Sequence, residues 1–444
     1  MAKKVGQLRG LIRKIGAADG ADRELLERFR RTFVELPPEH RLELYRWLAG
    51  EFEVDRKRAQ GPLEAALDAP EGDRAEWHAR VRELRSAVAS PRLRALGDLI
   101  NMTGGMKLLL EMRADILEAQ RQGERGLGVL EDDIAFLLNR WCQHGFLFLE
   151  EVNLESSFQT IRYLKEREMV HPMLSLEEMG QRLGVDRLCF ALYHVVMPSE
   201  PVVFIEVALS RGLVRTIHDI IDDREHERTR VKSPDTAIFY SINNTQIGLA
   251  GLGLGRVLIA RVTEALRERW PSLASFATLS PIPGFWPRYL RPILEGSADG
   301  FARDRGAIVD RMPAKAMEAI LERHRELGGG DAKAPEVLLC VLSRRGWIED
   351  AVFREALRKP LVDAAHFYLT KEKDARGKPL NPVAGFHLGN GATVARSNVN
   401  YAANTTPRGL EDSCGLMANY VYSEKALAPI GRAVRSLLPW GRRG

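Results

Sequence analysis

Apolar residues in the first third of the chain recur at helical spacing. Leu26, Phe29 and Phe33 share one face of a predicted helix that Pro37-Pro38 ends. The same spacing returns in four later sets: Leu44/Trp47/Leu48, Trp77/Val81/Leu84/Val88, Leu109/Met112/Ile116 and Ile134/Leu137/Leu138/Trp141. No alternating strand pattern precedes about residue 185. Residues 1–168 are therefore predicted to form an all-helical domain, with its Trp and Met side chains in the core.

The pattern then changes to short runs rich in β-branched and aromatic residues. These runs predict strands at 189–197, 202–209, 236–242 and 275–280, with a turn at Pro198–Pro201 between the first two. Helical periods cover 211–221, 255–270, 302–326 and 336–358. Asn390-Gly391, between runs at 383–388 and 392–399, predicts a β-hairpin.

The order strand, helix, strand over residues 236–280 predicts a βαβ unit, because parallel neighbours need a crossover of this length. Residues 169–444 are accordingly predicted to be a mixed α/β domain. The fold class expected for the whole chain is α+β, a helical bundle followed by an α/β domain.

Composition excludes several classes of protein. The 444 residues are 45% hydrophobic and 28% charged, which is typical of a globular protein and excludes a disordered or low-complexity one. The net charge of +5 comes from interspersed signs, which argues against a nucleic-acid partner. Four scattered cysteines without metal-ligand spacing predict reduced thiols and no metal site.

The chain shows no apolar run of about 18 residues that would span a bilayer. Five basic residues precede the first acid, Asp19, which is superficially typical of a mitochondrial presequence. The stretch contains no serine, so we interpret it as a basic first helix. The predicted location is the cytoplasm, with the mitochondrial matrix as the alternative, and no membrane partner is expected.

A glycine-rich loop follows the predicted strand 236–242 and opens onto a helix. Gly248, Gly251, Gly253 and Gly255 recur at every second or third position. Backbone N–H groups of such a loop and of a helix N-terminus suit a pyrophosphate. The alternative is that the glycines only permit close packing. The spacing is not the one of a Rossmann dinucleotide site.

Two residues further along carry candidate chemistry. Ser280 ends the predicted strand that follows this helix, at the edge where α/β sheets bind ligands. Pro281 and Pro283 come directly after it and make the segment rigid. His387 is a candidate proton donor or acceptor near neutral pH, on a segment predicted as a strand. A serine that merely ends a strand and a structural histidine remain the alternatives.

Four blocks in fixed order resemble the malonyl-CoA decarboxylase family. They are Phe239-Tyr240-Ser241-Ile242 with Thr245-Gln246 and the following glycines, then 278–285 (TLSPIPGF), 386–392 (FHLGNGA) and 413–420 (SCGLMANY). The resemblance covers about residues 170–425, and the helical first third fits the family's N-terminal bundle.

The resemblance implies a GNAT-type acetyltransferase-like catalytic domain in residues 169–444 and a helical oligomerisation domain in residues 1–168. It implies that Ser280 and His387 are the catalytic pair, and that the family forms homo-oligomers, here a dimer or tetramer. It also implies that one loop binds the CoA pyrophosphate: Ala250, Gly251, Leu252, Gly253, Leu254, Gly255 and Arg256.

The expected reaction converts malonyl-CoA to acetyl-CoA and CO₂. No metal or organic cofactor is expected, because the thioester carbonyl itself accepts the electrons released with CO₂. In this hypothesis His387 protonates the resulting enolate, and Ser280 is its hydrogen-bonding partner and proton relay.

The chain departs from the family pattern at several positions. Ala250 stands where the acetyltransferase loop favours Gln or Arg, Gly253 stands where a polar or acidic residue is common, and Asn398-Val399-Asn400-Tyr401 with Asn404 replaces an expected Arg-Ile-Asn-Trp segment followed by Asp. Two alternatives therefore remain open, an acyl-CoA-dependent acyltransferase of the same fold and a non-catalytic acyl-CoA-binding protein.

Overall fold

A computed structural model describes residues 2–17, 22–70, 72–173, 175–184, 186–221, 233–297, 300–303, 308–309, 311–375, 377–424 and 427. The chain divides into two units. The first comprises Met1–Phe148, Tyr193–Val202 and Asn244–Leu254, and the second comprises Leu149–Leu192, Val203–Asn243 and Gly255–Gly444. The domain boundary predicted at residue 168 stays a prediction. In the described part of the chain, no helix is long and apolar enough to cross a membrane.

The first unit is built from helices. They are α1 (Ala2–Ala17), α2 (Arg23–Val34), α3 (Pro38–Gly50), α4 (Arg56–Leu67), α5 (Arg74–Ala87), α6 (Pro91–Asn101), α7 (Gly105–Arg121) and α8 (Gly128–Trp141). Side chains of Asp22, Asp55, Asp73 and Ser90 accept hydrogen bonds from backbone N–H groups in the first turns of α2, α4, α5 and α6. The predicted helical character of this region is confirmed.

The core of this unit follows most of the predicted apolar stripes. Phe29, Phe33, Leu44 and Leu109 are fully buried, and α7 packs against α3, α6 and α8. The stripe on α5 is different, because none of its residues is buried and Trp77 is 46% exposed. The expectation that Trp77 belongs to the core is wrong, because α5 packs mainly against the neighbouring helix α4.

Most strand residues belong to the second unit, and the first unit contains strand residues at 147–148, 193–194, 197–202 and 244. The strands are β1 (Leu147–Val152), β2 (Arg187–His194), β3 (Met197–Ser210), β4 (Thr236–Asn244), β5 (Ser275–Thr278), β6 (Ser280–Pro281), β7 (Ala392–Thr393), β8 (Val399–Asn400), β9 (Met417–Ala418) and β10 (Val421–Tyr422). Seven strands form one sheet in the order β1-β2-β3-β4-β5-β10-β7, and three form a second in the order β6-β9-β8.

The predicted βαβ unit is confirmed. Strands β4 and β5 are parallel, with Phe239 opposite Thr278, and α12 (Leu254–Arg269) connects them. Between β1 and α12 lie α9 (Phe158–Arg167), α10 (Leu176–Gln181) and α11 (His218–Ile221); after it lie α13 (Arg291–Glu295), α14 (Ala314–Glu326), α15 (Ala334–Leu342), α16 (Ala351–Thr370), α17 (Pro382–Gly389) and α18 (Pro407–Ser413). The mixed α/β character predicted for residues 169–444 is therefore confirmed.

The predicted hairpin around Asn390-Gly391 is wrong. Residues Pro382–Gly389 form helix α17, because the Asn381 side chain accepts a hydrogen bond from Ala384 N–H at 2.9 Å and proline suits the first helical turn. Asn390 N–H donates to the Phe386 and His387 carbonyls, so this dipeptide ends a helix instead of turning a hairpin. His387 therefore lies on a helix and not on a strand.

Smaller boundaries also differ from the predictions. Strand β1 lies within residues 1–168, so the prediction that this region is all-helical is wrong for Leu147–Val152. Only the first and last residues of the strand are buried, and it therefore lacks the alternation from which a strand is predicted. Pro198 and Pro201 lie within β3 and not in a turn, near its partly exposed start. Of the predicted helix 211–221 only His218–Ile221 is helical, because Ile217 N–H bonds to the Ala403 carbonyl instead of its own segment.

The two long helices predicted at 302–326 and 336–358 differ from the helices in the structure. The helix predicted from residue 302 begins at Ala314, after Pro313, while residues 304–307 and 310 lie outside the described part of the chain. The segment predicted as one helix over 336–358 is two helices, α15 and α16. Asp350 caps the second through Val352 and Phe353 N–H groups.

Candidate active site

Ser280 lies where the central parallel strands end. It opens β6, one residue after the end of β5, lies opposite Ala418 of β9, and is 7% exposed. Its hydroxyl donates a hydrogen bond to Thr278 Oγ1 at 2.9 Å and lies 3.3 Å from His387 Nε2. The structure therefore brings together the two predicted catalytic residues, which are 107 positions apart in the sequence.

Two tyrosines hold the imidazole of His387. The Tyr422 hydroxyl lies 2.8 Å from Nδ1, so each ring nitrogen of His387 has an oxygen neighbour. The Tyr420 ring stacks on the imidazole, with 4.7 Å between ring centroids and 26° between planes. Phe386 meets the imidazole edge-on at 4.9 Å. The ring is thus fixed in position and orientation by its neighbours.

Burial sets the charge state of this group. His387 is 4% exposed, and loss of solvation lowers its pKa to about 3. Burial also raises the pKa of Tyr422 above its ordinary value. Near neutral pH the pair is therefore a neutral imidazole and a neutral phenol. With the imidazole proton on Nε2, Tyr422 donates to Nδ1 and Nε2–H faces Ser280.

Backbone and amide contacts fix the strand ends around Ser280. Thr278 Oγ1 accepts from Tyr420 N–H at 3.2 Å as well as from Ser280. The Asn419 side chain, fully buried, donates to the Thr278 carbonyl at 2.7 Å. The strand pairs β5–β10 and β6–β9 are therefore joined at the site itself by side-chain hydrogen bonds.

The segment that departs from the family pattern supports this arrangement. Val399 and Asn400 form β8, which pairs with β9, and Asn400 donates to the Asn419 side chain at 2.6 Å. The Asn398 carbonyl accepts from Asn419 N–H at 2.9 Å. The departures at 398–401 therefore build an ordinary strand and leave the Ser280–His387 pair in place.

Sequence reasoning missed Tyr422 and Thr278 as neighbours of the pair, and used Tyr420 only as part of a motif. One signal was present: Tyr420 ends a motif block and Tyr422 follows two positions later, a spacing that turns both side chains to one face of an extended segment. That spacing alone does not reveal which residue the two rings contact.

The glycine-rich loop is shaped by packing at two of its glycines and by backbone conformation at the other two. A Cβ on Gly248 would lie 2.2 Å from the Leu110 carbonyl oxygen, and one on Gly255 would lie 2.6 Å from Phe386 Cζ. Gly251 and Gly253 have φ of +77° and +71°, a region that other residues rarely adopt. Close packing therefore explains two of the glycines, and the backbone conformation of the loop explains the other two.

Not every N–H of the loop is free for a ligand. Ala250 N–H donates to the Ile247 carbonyl at 3.0 Å, and Leu252 N–H donates to the Leu249 carbonyl at 3.3 Å. Helix α12 begins at Leu254, so the N–H groups of its first turn have no acceptor within the helix. Arg256, in that first turn, is exposed.

Other histidines have structural partners. His218 Nε2 accepts a hydrogen bond from Thr405 N–H at 3.1 Å, and His194 Nε2 lies 2.8 Å from the Trp141 carbonyl. Among the residues described, no group of three or more His, Cys, Asp or Glu side chains is arranged to hold a metal ion.

Comparison with known proteins identifies the family. Residues 145–430 match the malonyl-CoA decarboxylase C-terminal domain, and residues 52–142 match the N-terminal domain of the same family. The mitochondrial malonyl-CoA decarboxylase of Anser anser anser is 33% identical over 388 residues, covering 86% of this chain and 74% of that protein. The chain belongs to the malonyl-CoA decarboxylase family.

Further members show how far the similarity extends. The mitochondrial malonyl-CoA decarboxylase of Mus musculus is 36% identical over 349 residues, covering 76% of this chain and 67% of that protein. The crystal structure of malonyl-CoA decarboxylase from Rhodopseudomonas palustris superimposes with a TM-score of 0.78 at 27% identity, covering 98% of this chain and 96% of that one.

The structure from Agrobacterium vitis gives a TM-score of 0.74 at 26% identity, with 97% of this chain and 96% of that chain covered. Membership in this carboxy-lyase family confirms the resemblance stated from the sequence blocks. The expected fold class, a helical region followed by a mixed α/β domain, is confirmed with it.

Proposed function

We propose that this chain decarboxylates malonyl-CoA to acetyl-CoA and CO₂, using Ser280 and His387. The observation that carries the proposal is the buried series Ser280–His387–Tyr422, with 3.3 Å and 2.8 Å between its polar atoms, in a chain of the malonyl-CoA decarboxylase family. A neutral, desolvated imidazole between two hydroxyl groups suits the transfer of one proton.

The reaction requires an electron sink and one proton. The bond between the carboxylate carbon and the α-carbon breaks, CO₂ leaves, and the electron pair forms an enolate with the thioester carbonyl. Since the thioester is the sink, we propose that neither metal nor organic cofactor takes part. A poorly hydrated pocket favours loss of the carboxylate, and hydrogen bonds to the enolate oxygen lower the barrier by about 3 kcal/mol each.

Protonation of the enolate carbon is assigned to His387 through Ser280. Nε2–H gives its proton to Ser280 Oγ as the serine hydroxyl proton passes to carbon, the Tyr422 hydroxyl proton moves to Nδ1, and a solvent proton replaces it on Tyr422 in the same step. Neither a charged imidazole nor a tyrosinate forms, in keeping with the low pKa of His387 and the raised pKa of Tyr422, and one solvent proton is consumed per CO₂ released. Proton exchange with solvent between turnovers returns the ring to the Nε2–H tautomer. The buried Tyr420 hydroxyl has no partner among the described residues and can donate to the substrate carboxylate or enolate oxygen.

The loop Ala250–Arg256 is proposed to bind the CoA pyrophosphate. Since Ala250 and Leu252 N–H groups are used within the loop, we assign the contacts to Gly251, Gly253 and the first turn of α12. A helix N-terminus carries partial positive charge and favours phosphate. The exposed Arg256 side chain can add a charged contact.

The test is turnover of purified protein with malonyl-CoA in the presence of EDTA and without an acyl acceptor. Equal release of acetyl-CoA and CO₂ is expected. Ser280→Ala and His387→Ala should each lower kcat by about 10²–10⁴-fold with smaller changes in KM. Ser275→Ala, at the start of β5, and His78→Ala, on the exposed face of α5, are matched controls expected to keep kcat.

Other outcomes separate the remaining alternatives. Turnover that appears only when an amine or thiol acceptor is added would replace the proposal with an acyltransferase. Binding of CoA esters without turnover would leave a binding protein. Wild-type kcat in either the serine or the histidine variant would remove that residue from the mechanism.

Self-association is proposed as well, through the helical first unit. Helices α4 and α5 pack on each other and leave Leu63, Leu67 and Trp77 between 46% and 74% exposed. Apolar side chains grouped on one helical pair are typical of contacts between copies. Light scattering after gel filtration should give the mass of a dimer or tetramer, and a monomer would contradict this. A cytoplasmic location, with the mitochondrial matrix as the alternative, stays a prediction.

A further inference from the structure

A buried arginine of the helical unit holds the glycine-rich loop. Arg113 lies on α7, is 5% exposed, and donates through Nη1 to the carbonyl oxygens of Gly248 at 2.6 Å and Ala250 at 2.7 Å. Its Nε and Nη2 contact Glu131 Oε1 on α8 at 2.8 Å and 2.7 Å. The guanidinium is thus anchored by a carboxylate on one side and bound to two loop carbonyls on the other.

The loop backbone lies directly on the same helix. A Cβ on Gly248 would come 2.2 Å from the carbonyl oxygen of Leu110, one turn before Arg113, so the two backbones touch. The loop segment Asn244–Leu254 accordingly belongs to the first unit, with α7 and α8. At its start, Thr245 Oγ1 donates to the Pro201 carbonyl at 2.6 Å. The loop is held both at its entry and at its middle.

The arginine contacts decide which way one loop peptide faces. In a trans peptide the C=O and N–H groups point in opposite directions, so binding the Ala250 carbonyl to Arg113 turns the Gly251 N–H away from α7. A free carbonyl oxygen on the other side would repel a phosphate. This orientation of the peptide comes with a φ of +77° at residue 251, which glycine adopts without strain.

We propose that Arg113 is a positioning residue for substrate binding. It does not touch the substrate; it holds the carbonyls of Gly248 and Ala250 so that the Gly251 N–H and the start of α12 are presented to the pyrophosphate of an acyl-CoA. This inference rests on the proposed function of the loop, and it gives the helical unit a part in substrate affinity.

The experiment compares two substrates that share the reacting thioester. Malonyl-CoA carries the pyrophosphate, whereas malonyl-N-acetylcysteamine lacks it together with the adenosine and most of the pantetheine arm. Arg113→Lys keeps the charge but cannot form the guanidinium fork, in which Nη1 binds the two carbonyls while Nε and Nη2 bind Glu131. Glu131→Gln weakens the anchor of the guanidinium. Arg113→Met removes the contact. If the Arg113→Met protein does not fold, Arg113→Lys and Glu131→Gln still test the inference.

A second buried arginine provides the matched control. Arg92 on α6 is also 5% exposed and donates to the Leu48 and Ala49 carbonyls at 3.0 Å and 3.4 Å and to Asp133 at 2.7 Å. It has the same combination of backbone carbonyls and one carboxylate, without contact to the loop. Arg92→Lys therefore reports the general effect of weakening a buried arginine in this unit.

The expected result for Arg113→Lys is a KM for malonyl-CoA raised by about tenfold or more, the size expected when hydrogen bonds to a charged group are lost. kcat should stay within about twofold, and kcat/KM for malonyl-N-acetylcysteamine should be unchanged, because neither depends on phosphate contacts. Glu131→Gln should show a smaller effect of the same kind, and Arg92→Lys none.

Two results would overturn the inference. An unchanged KM for malonyl-CoA in a folded Arg113→Lys protein would show that the loop keeps its geometry without the fork. Equal losses on both thioesters would make Arg113 a residue of general stability. Wild-type protein that turns over neither thioester would instead contradict the proposed function, and the affinity of the variants for CoA itself, measured by calorimetry, would then decide the role of Arg113.

Discussion

Replacing Gly255 with alanine would put a methyl group into space that the Phe386 ring occupies. The added Cβ would lie 2.6 Å from Phe386 Cζ and 2.9 Å from Cε2. Carbon atoms in contact prefer separations of about 3.5–4.0 Å, so the ring must retreat by about 1 Å. The backbone at this position is ordinary, since Gly255 does not have a positive φ, and the effect therefore comes from the overlap alone.

The displaced ring belongs to the residue before His387. Both lie on α17, and the two rings meet edge-on at 4.9 Å. The distance from His387 Nε2 to Ser280 Oγ is already 3.3 Å, at the long end for a hydrogen bond. A displacement of about 1 Å passed to the imidazole would break this contact, and misplacement on that scale can cost about 10²-fold in rate. Overpacking should also destabilise the fold by about 1–3 kcal/mol.

The assay is steady-state decarboxylation of malonyl-CoA together with urea unfolding. Gly255→Ala should lower kcat by about 10- to 100-fold. Gly97→Ala on α6 is the matched control, because no atom outside the adjoining backbone of α6 lies within 4 Å of its Cβ position. Alanine there should stabilise the helix by about 0.5–1 kcal/mol. Adding Phe386→Leu to Gly255→Ala removes the overlapping ring atoms and should restore most of the lost stability.

The reasoning would be refuted by a Gly255→Ala protein with the kcat and the unfolding free energy of the wild type, because the ring would then yield without moving His387. A loss of kcat that the Phe386→Leu substitution leaves untouched, while the stability returns, would move the cause from the imidazole to the loop. The control variant separates either outcome from a general effect of alanine.

Two other substitutions probe the same buried group. Tyr422→Phe keeps the ring but removes the hydroxyl that lies 2.8 Å from His387 Nδ1, and it should lower kcat by about 10- to 100-fold with little change in KM, measured by steady-state kinetics. Burial lowers the pKa of His387 to about 3, whereas the unfolded chain takes up this proton near pH 6.5, so folding stability should fall as the pH drops through this window. The pKa of His171 is also lowered to about 3 by burial, so this residue adds a loss of its own. Between pH 7 and pH 5, urea unfolding of His387→Gln should therefore show a loss about 2 kcal/mol smaller than that of the wild type.

Local patterns in the sequence were sufficient for much of the architecture. The stripe of Leu26, Phe29 and Phe33 predicted a helix and its buried face, and the order strand, helix, strand over residues 236–280 predicted the parallel βαβ unit. Periodicity succeeds here because the same face of an element stays buried over several turns or several alternations. The helix at 382–389 was missed because eight residues carry too few periods to separate a strand from a helix, and the decisive signal was the Asn381-Pro382 cap.

The sequence by itself determined the family, the candidate residues Ser280 and His387, and the glycines of the loop, since each is carried by a short block of consecutive residues. Only the tertiary structure decided that Tyr422 bonds His387 and that Arg113 holds a loop more than 130 positions further along the chain. Contacts over such distances depend on how helices and strands pack, and no local pattern records them. Burial has the same origin: the neutral imidazole follows from the side chains that surround it, and these come from three separate segments of the chain.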